Sequence, residues 1–184
     1  MEAVRKDRTF TYADYLSWGE EIRCELIGGV VHMLAAPTWE HQRISMRLSR
    51  QLSNYLDGTP CEVFAAPFDV RLNALGRDDT VLQPDLAVIC DHSKLSGTGC
   101  VGAPDMIIEI LSPSTAGKDC LIKLNWYLEA GVHECWLVDP DSKSLRIYIM
   151  KDTGCVTVAY AEKDTVPVYV LDGCEIDLSQ VFAE

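Results

Sequence analysis

The chain has 184 residues, 48% apolar and 24% charged, which suits one domain with a buried core and excludes a disordered chain. Its formal net charge of −12 excludes a broad basic surface that coats nucleic acid, so any such role rests on a local patch, a divalent cation or a partner. No apolar run approaches the ~20 residues of a membrane helix. The early charges Arg5, Lys6, Arg8, Glu20, Glu21 and Arg23 leave no apolar block for a secretory signal, so a cytoplasmic protein is expected.

Taken in chain order, Thr11–Trp18 reads as a short helix capped by Thr9 or Thr11. Cys24–Met33 reads as a hairpin, because Gly28-Gly29 supplies the positive-φ positions of a tight turn. From Trp39 to Leu56 the residues Ile44, Leu48, Leu52, Tyr55 and Leu56 recur at helical spacing, with Thr38 as N-cap and Gly58 as terminator. Arg43, Arg47 and Arg50 line another face, which could touch a phosphate backbone or simply be solvated.

Cys61–Leu72 reads as a strand interrupted at Pro67, followed by a polar loop over Asn73–Thr80. Leu82–Cys90 and Asp105–Leu111 have the Val, Ile and Leu content of central strands. A second long helix is expected from Ser114 or Thr115 to near Gly131, then strands over Glu134–Asp139, Leu145–Met150, Cys155–Tyr160 and Val166–Val170. This order predicts an α/β fold, a mixed sheet flanked by helices, in a single domain over residues 1–184. The eight cysteines contain no C-x-x-C pair, so reduced structural thiols are expected rather than a zinc site.

The chemistry resides in acids. Asp85 follows Pro84 at the start of one apolar run, and Glu109 lies inside another, on the face it shares with Ile107 and Leu111. A carboxylate among aliphatics is costly to bury without a positive partner. Two such acids on neighbouring strands make a hard-oxygen site for Mg²⁺ or Mn²⁺; the plainer alternative is a solvated acid or a structural ion pair. Phosphodiester hydrolysis also calls for a lysine, but the next same-face position holds Leu111. Lys123 can substitute. Glu109 is about 10 Å down its strand at ~3.3 Å per residue, and Lys123 about 12 Å up the returning helix at ~1.5 Å per residue. Asp119, Lys123 and Tyr127 share a stripe, and an exposed Asp119–Lys123 pair is the alternative. Glu25, just before the Gly-Gly turn, could supply a further carboxylate, and His41 points inward from its helix, as core residue or as catalyst.

Several ordered runs also carry a family resemblance. They are Cys24-Glu-Leu-Ile-Gly-Gly-Val-Val, Glu40-His-Gln-Arg-Ile, Cys61–Arg71, Gln83-Pro-Asp-Leu, Gly99–Asp105, Ile108–Thr115, Lys118-Asp, Lys123, Tyr127, Gly131-Val and Trp136–Pro140. Across roughly residues 10 to 150 the chain resembles the Uma family of restriction-endonuclease-like proteins, whose members are called endonucleases by fold analogy. The resemblance implies a PD-(D/E)xK nuclease core with Asp85 and Glu109 as the motif acids. It further implies Lys123 in place of the lysine missing at Leu111, Glu25 as a further acid, and His41 and Tyr127 as polar positions near the pocket.

Two functions from different classes follow as expectations. One is a Mg²⁺- or Mn²⁺-dependent endonuclease acting on DNA, with Asp85 and Glu109 as ligands, Lys123 orienting water and Glu25 as added ligand or base. The other is a weakly active or inactive nucleic-acid- or partner-binding module, a homodimer using its C-terminal strands as an edge.

Overall fold

Residues 9–19, 22–112 and 118–183 are described by a computed structural model. Thr11 caps α1 (Tyr12–Ser17) and closes a capping box with Asp14. The hairpin forms as the Gly-Gly pair requires. Gly28 and Gly29 have φ of 56° and 81° and join β1 (Cys24–Ile27) to β2 (Val30–Met33) in antiparallel register. Thr38 accepts the His41 N–H and starts α2 (Trp39–Leu56), whose buried stripe is His41, Ile44, Leu48, Leu52 and Leu56.

The two apolar runs read as single strands are each divided between sheets. Around the cis Ala66–Pro67 bond, β3 (Glu62–Ala65) and β4 (Asp69–Arg71) part company. Gln83-Pro84-Asp85 likewise separates β5 (Val81–Leu82) from β6 (Leu86–Ile89). Pro lacks the N–H that would continue a ladder, so both breaks fall where a proline ends pairing. A 3₁₀ turn at His92–Lys94 then leads to two strands the sequence did not suggest, β7 (Leu95–Ser96) and β8 (Gly99–Val101). A Cβ at Gly99 would meet the Asp69 carbonyl oxygen at 1.9 Å, so only glycine admits the β4–β8 pairing.

The second half follows the predicted order: β9 (Met106–Ile110), α3 (Lys118–Ala130), β10 (Glu134–Asp139), β11 (Ser144–Lys151), β12 (Gly154–Ala161) and β13 (Thr165–Pro167). The expected helix start at Ser114 or Thr115 lies outside the described residues. β14 (Glu175–Asp177) and α4 (Leu178–Val181) complete the chain.

Where one mixed sheet was expected, there are two of six strands and a two-stranded ribbon. The first sheet runs β2-β1-β5-β4-β8-β7, the second β12-β11-β10-β9-β6-β3, and the ribbon is β13-β14. Only β4–β8 and β9–β10 are parallel among the described strands, and α3 makes the crossover between β9 and β10. Helices cover both faces of the second sheet. Met106, Ile108 and Ile110 pack with the α2 stripe, whereas Ile107 packs with Leu124 and Tyr127 of α3. No described helix is long and apolar enough to cross a membrane.

The cysteine expectation needs one correction. Cys61 and Cys90 form a disulfide at the paired ends of β3 and β6, while the other six are free thiols. Spacing could not show this, because the pairing depends on the register of strands 29 residues apart.

Leu48 is fully buried between α2 and the second sheet. Leu48→Ala is expected to lower unfolding stability in urea by roughly 2–5 kcal/mol. Met46→Ala, at a site 65% exposed, should stay within about 0.5 kcal/mol.

Candidate functional site

The acids converge from different elements. The β6–β9 register pairs Leu86 with Ile108, so one step further it sets Asp85 across from Glu109. Both project to the α3 side of the second sheet, because side chains alternate along a strand. Asp85 Oδ2 accepts the Ile110 N–H at 2.7 Å and lies 3.1 Å from His41 Nε2. The carboxylate makes Nε2 the protonated nitrogen, and His41 Nδ1 is then a buried atom with no partner among the described residues.

Glu25 comes from the first sheet and is 3% exposed. Lys123, from α3, bridges the sheets: its Nζ is 2.8 Å from Glu25 Oε1 and 2.6 Å from Glu109 Oε1. The helix therefore returns level with Glu109, as the rise per residue indicated. Tyr127 O–H, one helical turn on, donates to Glu109 Oε1 at 2.8 Å. Tyr127 is fully buried behind Glu109, next to the pocket but not part of its lining. The side chain of Asp119 lies outside the described residues.

The electrostatics follow from three carboxylates around one ammonium. Burial raises the Glu109 carboxyl to about 7; Lys123 opposes the rise, while Asp85 and Glu25 add to it. Burial works against the Lys123 charge, yet Glu109 and Glu25 outweigh it and hold its pKa above the usual lysine value. A simple ion pair would lower the acid while raising the base, and here both rise. The reason is that burial dominates at Glu109, which also shares its cation and faces Asp85, whereas Lys123 answers two acids at once and stays cationic. Burial also lowers the His41 pKa, but the Asp85 hydrogen bond and charge carry it above the ordinary imidazole value. When Glu109 is ionised and His41 is neutral, the three carboxylates outnumber Lys123 by two charges.

The cluster opens into a cavity of about 250 Å³ lined by Glu25, His41, Asp85, Glu109 and Lys123, among others. Asp85 Oδ1 and Glu109 Oε2 carry no hydrogen bond among the described residues. Among the described residues, no three of His, Cys, Asp and Glu form a ready-made ligand cage. The donors are hard oxygens in a negative pocket, which fits Mg²⁺ or Mn²⁺ held by two carboxylates, with water and substrate completing the shell.

The arginine stripe is largely engaged elsewhere. Arg47 donates to the Val181 and Ala183 carbonyls and Arg50 to Gln180, so both clamp the C-terminal segment. Arg43 remains at the cavity end of α2, over the Trp39 ring. Two features escaped the sequence reading. One is Gln83, whose N–H donates to Glu25 Oε1 at 2.8 Å while its side-chain amide donates to Asp69 and Tyr15. Its place directly before Pro84-Asp85 was the available signal. The other is Trp39, which is 73% exposed.

The family described as "Putative restriction endonuclease" (Uma2) matches residues 12–179. This chain belongs to the Uma2 family. Two uncharacterized proteins of Synechocystis sp. are similar to it. One is 29% identical over 144 residues, covering 77% of this chain and 74% of the relative. The other is 27% identical over 167 residues, covering 89% and 86%. A crystal structure described as a "putative nuclease belonging to DUF820", from Anabaena variabilis, matches with a TM-score of 0.77 at 20% identity, over 95% of this chain and 98% of that one. The Uma2 chain has the restriction-endonuclease-like fold, with the first sheet supplying Glu25 and the second supplying Glu109.

Removing Lys123 would leave Glu25 and Glu109 buried without a cation. Lys123→Met in EDTA is expected to lose roughly 3–5 kcal/mol of unfolding stability near pH 8. Glu109 is raised in the folded state, so its ionisation opposes folding at high pH and that cost fades as pH falls from its folded value towards its unfolded one. The loss should therefore shrink clearly near pH 5.5, and an equal loss at both pH values would contradict the assignment.

Proposed function

We propose that this chain is a divalent-metal-dependent nuclease that hydrolyses phosphodiester bonds in DNA, with Asp85 and Glu109 as the metal ligands. The observation that carries this reading is the buried Glu25–Lys123–Glu109 bridge beside Asp85, an acid cluster whose one lysine leaves it negatively charged. Membership of the Uma2 family supports it.

Asp85 and Glu109 would hold Mg²⁺ or Mn²⁺, which would supply positive charge for the phosphate oxygens and favour deprotonation of the attacking water. The protein's own groups do the rest. Lys123 stays protonated, and its two carboxylate partners fix it where it stabilises charge developing on the phosphate. Glu25 anchors Lys123 from the first sheet and stands ready as a further ligand or base. His41 donates to Asp85 and Tyr127 to Glu109, so each ligand carboxylate is oriented by a hydrogen bond.

A second reading, a homodimeric binding module of low activity, is favoured by β12. This eight-residue strand closes one edge of the second sheet and is exposed over Gly154–Thr157.

Plasmid nicking with Mg²⁺ and with Mn²⁺ tests the first reading. Wild type is expected to cleave and EDTA to abolish cleavage. Asp85→Asn and Lys123→Ala should each lose about 100-fold or more in rate, with circular dichroism confirming the fold. Cleavage that persists in Asp85→Asn, or no cleavage by wild type with either ion, would refute the proposal.

A further inference from the structure

Trp39 is the first residue of α2, yet it takes no part in the buried stripe of that helix. It is 73% exposed, and none of the other three tryptophans is an exposed residue. A large aromatic left in solvent beside a reactive cavity invites a ligand. Trp39 lines a second cavity of about 270 Å³, whose apolar walls also include Leu111 and Pro140. Leu111 and Ser112 line both this cavity and the acid pocket, so the two adjoin as neighbouring arms of one surface groove.

Charge limits what this arm of the groove can hold. Glu40 and Asp141 line it along with Asp139, which is already engaged with its own turn. Such walls repel a phosphate but accept hydrogen bonds from the amino and imino groups of a nucleobase. The Arg43 guanidinium lies 4.9 Å from the Trp39 ring centroid, bracing it, and is 3.6 Å from Glu40. Its Nε is buried without an acceptor among the described residues. An aromatic ring with an adjacent guanidinium is the pairing that stacks a base and steadies its backbone.

We infer that the Trp39 arm binds an unstacked nucleobase next to the nucleotide whose phosphate occupies the acid pocket. The preferred substrate is thus a single-stranded or locally melted nucleic acid rather than an intact duplex. This rests on the nuclease reading for the role of the acid pocket. It also accounts for recognition by a chain of net charge −12, because stacking gives affinity without a basic surface. A supercoiled plasmid remains a substrate through its melted segments.

The test is binding of short labelled oligonucleotides in Ca²⁺ by wild type and Trp39→Ala, with tryptophan fluorescence read in parallel. Wild type should bind oligo-dT with quenching and prefer it to a duplex of the same length. Trp39→Ala should bind about ten-fold more weakly with the quenching lost. An oligomer of abasic sites should bind wild type as weakly as oligo-dT binds the variant, and be insensitive to the substitution. A parallel oligo-U arm shows whether deoxyribose or ribose is preferred.

Equal oligo-dT affinity in wild type and Trp39→Ala overturns the inference, and if metal-dependent cleavage persists the nuclease reading stands without it. Trp39-dependent binding with no cleavage of any substrate upholds the base site and overturns the nuclease reading. Failure to bind any oligonucleotide overturns the base site.

Discussion

Lys123 is held between Glu25 and Glu109, and much of the architecture converges on that contact. Each of the two acids is more than nine-tenths buried and comes from a different sheet, while the ammonium that joins them comes from α3. Without the ammonium both carboxylates would be buried with no counter-charge, since breaking a buried pair leaves an uncompensated charge. The bridge therefore fixes the approach of the two sheets and the level at which α3 returns. Gln83 extends the network by holding Glu25 through its N–H and reaching Asp69 and Tyr15 through its side chain. Even α1 is thus tied to the centre. Burial and Asp69 hold the Tyr15 hydroxyl well above the usual tyrosine pKa, so it stays a donor.

How much of this was legible depends on the range of the interaction. The Asp85–Glu109 juxtaposition could be read because Asp85 immediately precedes one short apolar strand, Glu109 lies within another, and the side-chain period is two. Lys123 was accessible by comparing rise per residue along strand and helix, with the family resemblance pointing the same way. The α2 boundaries follow from Thr38 and Gly58, which are local signals. The division into two sheets was not readable, because a strand that changes sheets at Pro67 looks in sequence like one that merely kinks. β7 and β8 are two and three residues long, too short to show a period. The Cys61–Cys90 bond and the Arg47 clamp on the C-terminal carbonyls join distant segments and leave no local trace.

The excess of negative charge ties the site to the composition. A chain of net charge −12 would repel a polyanion, and the carboxylates of the acid pocket add to that repulsion. A divalent cation reverses the sign of the field at the point where a phosphate must dock. In the proposed nuclease the groove would divide the work: the cation and Lys123 would face the phosphate, and the apolar arm at Trp39 would take the neutral base. Both parts are positioned by α2, which presents Trp39 outward and, two residues on, turns His41 inward to Asp85.

The central claim is that Asp85 and Glu109 bind a divalent cation, and anomalous diffraction from crystals grown with Mn²⁺ tests it most directly. The expected result is one strong peak between the two carboxylates, at roughly 2.0–2.3 Å from an oxygen of each, as hard-cation coordination requires. That peak should be absent in Asp85→Asn crystals. No peak at the acid pocket in wild type, or a peak that survives the substitution unchanged, would contradict the account.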